Sequence, residues 1–116
     1  MNDEMMLDTT TCGVAKTLKV IGAKWTMLIL RDLMEGTKRF GELQRSLVGI
    51  SPKTLSERLQ QLERDGLVAR KVFAEVPLHV EYSLTERGKS LQEIIAAMRS
   101  WGEAAAVDRD RAGVEV

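Results

Sequence analysis

The 116-residue chain has a single cysteine, Cys12, and a single histidine, His79. One thiol cannot close an internal disulfide, and one thiol with one distant imidazole cannot assemble a thiolate metal site. Packing alone must hold the fold. The chain also lacks a phosphate-cradling glycine loop and clustered carboxylates, so the residue pattern offers nothing for catalysis, and neither an enzyme nor a cofactor is expected. Long apolar runs are missing too. The longest, Ile94 to Met98, has five residues, against the roughly 20 a membrane-spanning helix needs. Met1 to Asp8 carries acids where a secretory signal carries bases, and it has no long apolar stretch, so a cytoplasmic protein without membrane contact is expected.

What is present suits one folded domain. Hydrophobic residues make up 44% and charged residues 29%, too apolar for a chain disordered throughout, and the length fits a single core. An ordered domain over 11–107 is expected, flanked by a loose arm over 1–10 and a loose tail over 108–116. Bases and acids balance at 17 each, which argues against a uniformly basic surface. Their distribution is uneven. Residues 1–37 hold four bases and five acids, residues 38–71 eight and four, and residues 72–116 five and eight, giving −1, +4 and −3. A neutral molecule can thus carry a local positive surface suited to a polyanion, although a solvated mixed-charge face has a similar composition.

Hydrophobic spacing sets out the elements. Val14, Leu18 and Ile21 mark a first helix stopped by Gly22, and Trp25, Leu28, Ile29 and Leu33 mark a second ending near Gly36. Phe40, Leu43 and Leu47 stripe a short third helix, with Lys38 and Arg39 at its start. Ser51 and Pro52 form a strong N-terminus, the hydroxyl accepting a backbone N–H and the proline losing no helical bond. Ile50 and Leu55 are spaced as a hydrophobic staple. This fourth helix buries Leu55, Leu59 and Leu62 and ends at Gly66. Beyond it the period changes to two: Leu67 to Ala74 and Val80 to Leu84 read as the strands of a hairpin looped around Pro77. Thr85 then caps one last helix, with Leu91, Ile94, Ile95, Met98, Trp101 and Ala105 on its apolar side.

Two helices joined by a short turn, the second strongly capped and followed by a hairpin, form a winged helix-turn-helix: a mainly α fold with a small antiparallel β-hairpin. A rigid capped helix fits the major groove of B-DNA, about 12 Å wide, and a hairpin can lie on the adjacent backbone. On a 100° wheel Lys53, Glu57, Gln60 and Arg64 oppose the leucines. The N-terminal part of the helix makes Ser51, Lys53, Thr54, Glu57 and Arg58 the base-edge or phosphate candidates. Arg39, Lys71 and His79 are the further phosphate candidates, and Pro77 shapes the wing. The apolar stripe of the last helix exceeds what a small core needs and suits a dimer seam through Leu91, Ile94, Ile95, Met98 and Trp101. Packing within its own domain is the alternative use of that stripe. Met5, Met6 and Leu7 could cross to a second subunit. With zero net charge and Glu57 in the reading face, a winged-helix protein-interaction module without DNA readout stays open.

The run Ile21-Gly22-Ala23-Lys24-Trp25, then Leu28-Ile29-Leu30-Arg31, Arg39-Phe40, Gly49-Ile50-Ser51, Leu62-Glu63, Gly66-Leu67-Val68, Glu75-Val76-Pro77, Val80-Glu81-Tyr82, Leu84-Thr85, Gly88 and Trp101, with Cys12 ahead of it, resembles the HxlR-type transcriptional regulators over about residues 11–105. The resemblance implies a winged-helix regulator distantly akin to MarR proteins, acting on a palindromic double-stranded DNA operator as a homodimer through its terminal helices, with Val14 and Leu18 of the first helix joining the stripe of the last in the seam. It also implies that the helix from Ser51 reads DNA, that the hairpin around Pro77 is the wing, and that Cys12 stands where the family can sense an oxidant or electrophile. Gly13 replaces the proline that commonly follows this cysteine. Physically, Cys12 lies at a helix N-terminus with Lys16 one turn on, an arrangement that favours thiolate, and a small packed residue is its other use. A sensing Cys12 would need a small thiol, an electrophile or Cys12 of a second subunit as its partner.

Overall fold

The computed structural model describes residues 12–112. The first helix, α1, spans Gly13–Ile21 and buries only Ile21. The second, α2, spans Thr26–Met34 and drives Ile29, Leu30 and Leu33 fully into the core. Two polar side chains go in with them. Asp32 is 4% exposed and accepts from the Arg31 guanidinium at 2.9 Å, while its second carboxylate oxygen has no partner among the described residues. Trp25, just ahead of α2, takes a positive φ of 81°, a conformation rare for bulky residues. Its ring packs on the core beneath the Lys24 ammonium.

Residues Lys38–Arg39 form a short strand, β1, directly before α3 at Phe40–Ser46. This departs from the expected helix start. The backbone pairs with a later strand, and the Arg39 N–H donates to the Glu42 carboxylate at 2.7 Å. The next helix, α4, spans Pro52–Arg64. Ile50 and Leu55 both enter the core, as the staple requires. Leu55, Leu59 and Leu62 are buried on one side, each contributing about 1.5–3 kcal/mol of transfer free energy. α4 ends where Gly66 adopts φ +77°. There the Leu67 N–H reaches back to the Leu62 carbonyl at 3.0 Å and the Gly66 N–H to that of Glu63 at 3.0 Å, satisfying carbonyls the helix leaves open.

Strands β2, Val68–Phe73, and β3, His79–Leu84, pair in antiparallel register from Val68 opposite Leu84 to Phe73 opposite His79. The other edge of β3 takes β1, with Lys38 opposite Tyr82 and Arg39 opposite Glu81. The sheet thus has three strands in the order β1-β3-β2 rather than the two of a bare hairpin.

The expected single last helix is two. Thr85 caps α5, Glu86–Lys89, and the longer α6 begins at Gln92 and runs to Ala112, past the expected tail boundary at 108. The break follows from contacts made by α5 with the exit of α4. The Thr85 hydroxyl donates to the Gly66 carbonyl at 2.6 Å, its N–H to the Leu67 carbonyl at 3.0 Å, and the Arg87 guanidinium to the Asp65 carbonyl. Gly88 lies so close that a Cβ would stand 2.2 Å from the Leu67 oxygen, so only glycine fits there. α5 is held against this corner, and α6 begins only beyond it, at Gln92. The arm over 1–10, with Met5, Met6 and Leu7, lies outside the described residues.

Candidate nucleic-acid interface

The site begins with the cap of α4. Ser51 Oγ accepts the Thr54 N–H at 3.1 Å, and its hydroxyl donates to Thr54 Oγ1 at 3.0 Å. This arrangement uses the Ser51 hydroxyl in both roles and leaves the Thr54 hydroxyl hydrogen free to turn outward. Ser51 is therefore a cap first, and its contribution to any contact is the exposed helix end it holds. Lys53, Glu57 and Gln60 are exposed, and Thr54 and Arg58 half-buried, with Lys53, Glu57 and Arg58 in no ion pair among the described residues. At the other end of α4 the polar groups satisfy one another: Arg64 donates to the Gln61 amide oxygen at 2.8 Å, and the Gln61 amide donates to the Asp65 carboxylate at 3.2 Å. The charged groups of the first two turns thus lack even the amide contacts that engage Arg64 and Asp65.

The sheet brings three further candidates to one face. Because side chains alternate along a strand and directly paired residues share a face, the pairing of Glu81 with both Arg39 and Lys71 places all three together. Phe73 and His79 join them two pairs further toward the tip, on the same face. Here the structure adds what the sequence did not single out. The His79 ring stacks on Phe73, centroids 4.6 Å apart and 12° from parallel, and Nε2 lies 3.1 Å from the Glu81 carboxylate. The Lys71 ammonium stands 4.9 Å from the Phe73 centroid, within cation–π range. His79 is therefore half-buried and engaged, while Arg39 and Lys71 remain exposed. Lys38 turns away to an ion pair with Glu35 at 3.2 Å. Sequence reasoning missed Phe73 and Glu81 because their importance comes from register, although the alternation of β2 and β3 contained the signal.

The seam candidates divide. Ile95 is buried in the core and Leu91 half-buried against it, whereas Trp101 is 76% exposed, Met98 51%, Val14 69% and Leu18 57%, with Ile94 exposed as well. Cys12 is exposed at the N-terminus of α1. Its sulfur closes no capping hydrogen bond of good geometry, yet the N–H groups of Ala15 and Val14 lie close enough to hold its pKa below the usual thiol value. This deciding influence is backbone, where the sequence had also pointed to Lys16.

The HxlR-like helix-turn-helix family matches residues 20–110, which include the cap, reading face and sheet just described. The chain belongs to that family. The HTH-type transcriptional regulator YdeP of Bacillus subtilis is 45% identical over 92 residues, 79% of this chain and 72% of YdeP. Among solved structures, the redox regulator HypR in its oxidized form is 44% identical with a TM-score of 0.77, covering 80% of this chain and 96% of HypR. The reduced form of the transcriptional regulator YodB from B. subtilis is 39% identical with a TM-score of 0.71, covering 79% and 91%. The protein is thus a winged-helix transcriptional regulator of the HxlR type, not an enzyme. Among the described residues, no helix is long and apolar enough to cross a membrane.

Proposed function

We propose that this HxlR-type protein acts as a homodimer on a palindromic operator, with α4 in the major groove and the β2–β3 hairpin as wing. The observation that carries the reading is the division of α4. Three leucines fix it to the core, while Lys53, Glu57 and Arg58 stand without ion pairs among the described residues at its capped end. Base contacts in helix-turn-helix proteins come from that end. Arg39 and Lys71 then supply phosphate contacts, and the Phe73 stack holds His79 as part of the wing surface. Val14, Leu18, Ile94, Met98 and Trp101 form the dimer seam, since their exposure in one chain leaves apolar surface for a second to cover.

Cys12 is the sensing residue in this reading. It is exposed and its thiolate is favoured by the open end of α1, the form that attacks oxidants and electrophiles. The name of the neighbour HypR, a redox regulator, supports the same role. An oxidant accepts two electrons as two Cys12 thiols release their protons and join across the dimer, or as one Cys12 joins a small thiol.

Titration of the purified dimer against DNA from upstream of its own gene tests the whole reading. Binding is expected to weaken with salt at about −0.9 log units per log unit for each neutralised phosphate. Lys53→Ala with Arg58→Ala is expected to lower affinity about 100-fold, each contact being worth roughly 1–3 kcal/mol. A thiol oxidant is expected to change the affinity of the native protein and not of Cys12→Ser. Affinity that survives the double substitution would move the α4 face to a protein partner, and an oxidant without effect would remove Cys12 alone.

A further inference from the structure

A groove of about 210 Å³ lies between α1 and the α5–α6 elbow, on a part of the molecule that the DNA-reading face does not use. Ile21 and Leu67 form its buried floor, and Val20 and Leu91 its half-buried walls. Its lining includes two cations, Lys16 and Arg87, and no carboxylate. Its two hydroxyls already donate elsewhere, Thr17 to the Gly13 carbonyl at 2.8 Å and Ser90 to the Arg87 carbonyl. The polar donors left for an occupant are therefore positive. On a 100° wheel Lys16, Thr17 and Val20 lie on a flank of α1 apart from Val14 and Leu18, so dimerisation through those two residues leaves this flank available.

An apolar floor in a groove whose rim carries two cations is the complement of a small organic anion, a carboxylate on an apolar body, smaller than a drug-sized ligand. The wall that would bind it is also the support of α4. The Arg87 guanidinium donates to the carbonyl of Asp65, the residue at which α4 ends, and the adjoining Thr85 and Gly88 press on Gly66 and Leu67. A carboxylate that draws the guanidinium into the groove takes a donor from that corner. We propose that this groove is an effector site for a small organic carboxylate and that Arg87 transmits its occupancy to the reading helix. The transmission rests on α4 reading DNA, and the ligand site does not.

Isothermal titration calorimetry of the full-length protein with benzoate and hexanoate tests the site, with benzyl alcohol, hexanol and hexylamine as controls. The carboxylates are expected to bind at least tenfold more tightly than the alcohols, and hexylamine not at all. Lys16→Met and Arg87→Met, which keep the apolar stem, are each expected to weaken carboxylate binding about tenfold, the loss of one charge-assisted contact, and to leave alcohol binding unchanged. Lys16 is exposed, so its variant keeps the fold even where Arg87→Met loosens it, and circular dichroism melting checks both. Equal binding of carboxylates and alcohols, or Lys16→Met behaving as native, would overturn the site. For the transmission, saturating benzoate is expected to shift operator affinity at least fivefold in the native protein. Carboxylate binding with no shift in operator affinity would overturn the role given to Arg87. Failure of the free protein to bind DNA would instead remove the DNA reading and leave the calorimetric result standing.

Discussion

α4 buries Leu55, Leu59 and Leu62 to 1% exposure or less and turns Lys53, Glu57 and Gln60 to solvent. α6 buries Ile95 and turns Ile94, Met98 and Trp101 to solvent. Both helices are amphipathic, and the difference lies in whether the apolar stripe is consumed within one chain. Where it is, the helix is rigid by itself and its polar face is presented to a charged partner. Where it is not, an exposed apolar surface remains that association with protein would cover. In the proposed function, reading DNA and joining subunits thus fall to the polar face of one amphipathic helix and the apolar face of another.

The strongest way to break this comparison is to remove one anchor of α4. Leu59→Ala is expected to destabilise the domain by about 2–5 kcal/mol, from lost transfer free energy and the cavity left behind, measured by urea unfolding at a fixed protein concentration. A loss below about 1 kcal/mol would mean that α4 is not pinned by its own core. The corresponding change on α6 has a different signature. Met98→Glu places a charge in the proposed seam and is expected to raise the dimer dissociation constant 100-fold or more, roughly the 2–4 kcal/mol of an interface hot spot. Sedimentation would report this while circular dichroism stays unchanged. A dimer that tolerates the charge would place the seam elsewhere.

What the sequence made legible follows the same division. The start of α4 is written locally: Ser51 and Pro52 specify a helix N-terminus, Ile50 and Leu55 its entry, and Gly66 its end. Each of these acts through neighbours within a few residues. β1 was not legible, because Lys38 and Arg39 are too few to show a period and become a strand only where β3 offers an edge. Nor was the break after α5, since it depends on Arg87 and Gly88 meeting the end of α4 some 20 residues earlier. The lone histidine was visible as a residue but not as an environment. Its stack on Phe73 and its contact with Glu81 come from the register of β2 on β3. The seam read as one stripe split because α6 leans on the core at Ile95, while Ile94, Met98 and Trp101 beside it stay exposed.

A smaller change sharpens the local part of the argument. Ser51→Ala removes the oxygen that accepts the Thr54 N–H and is expected to cost about 1 kcal/mol of stability, as for other caps. Because it also frays the end of α4 that bears Lys53, operator affinity is expected to fall with it. Ser51→Asp, which restores an acceptor but sets a negative charge where phosphate would lie, should recover stability and not affinity. Recovery of both would make Ser51 a cap and nothing more.

The smallest expected effect concerns the wing. Glu81 sits opposite Arg39 in one strand and Lys71 in the other, so a carboxylate stands between two of the proposed phosphate contacts. Glu81→Gln keeps the size of the side chain and an oxygen that can accept from His79 Nε2, while removing the charge. Partly exposed pairs of this kind are worth about 0.2–1 kcal/mol, so operator affinity is expected to tighten by no more than about fivefold. Fluorescence anisotropy of labelled operator measures this. The salt dependence separates two explanations. If Arg39 or Lys71 is released to neutralise a further phosphate, the log–log slope steepens by about 0.9 for each one gained. If the affinity and slope both stay at their native values, Glu81 was never competing with phosphate, the sheet face does not touch the duplex, and the interface contracts to α4 alone.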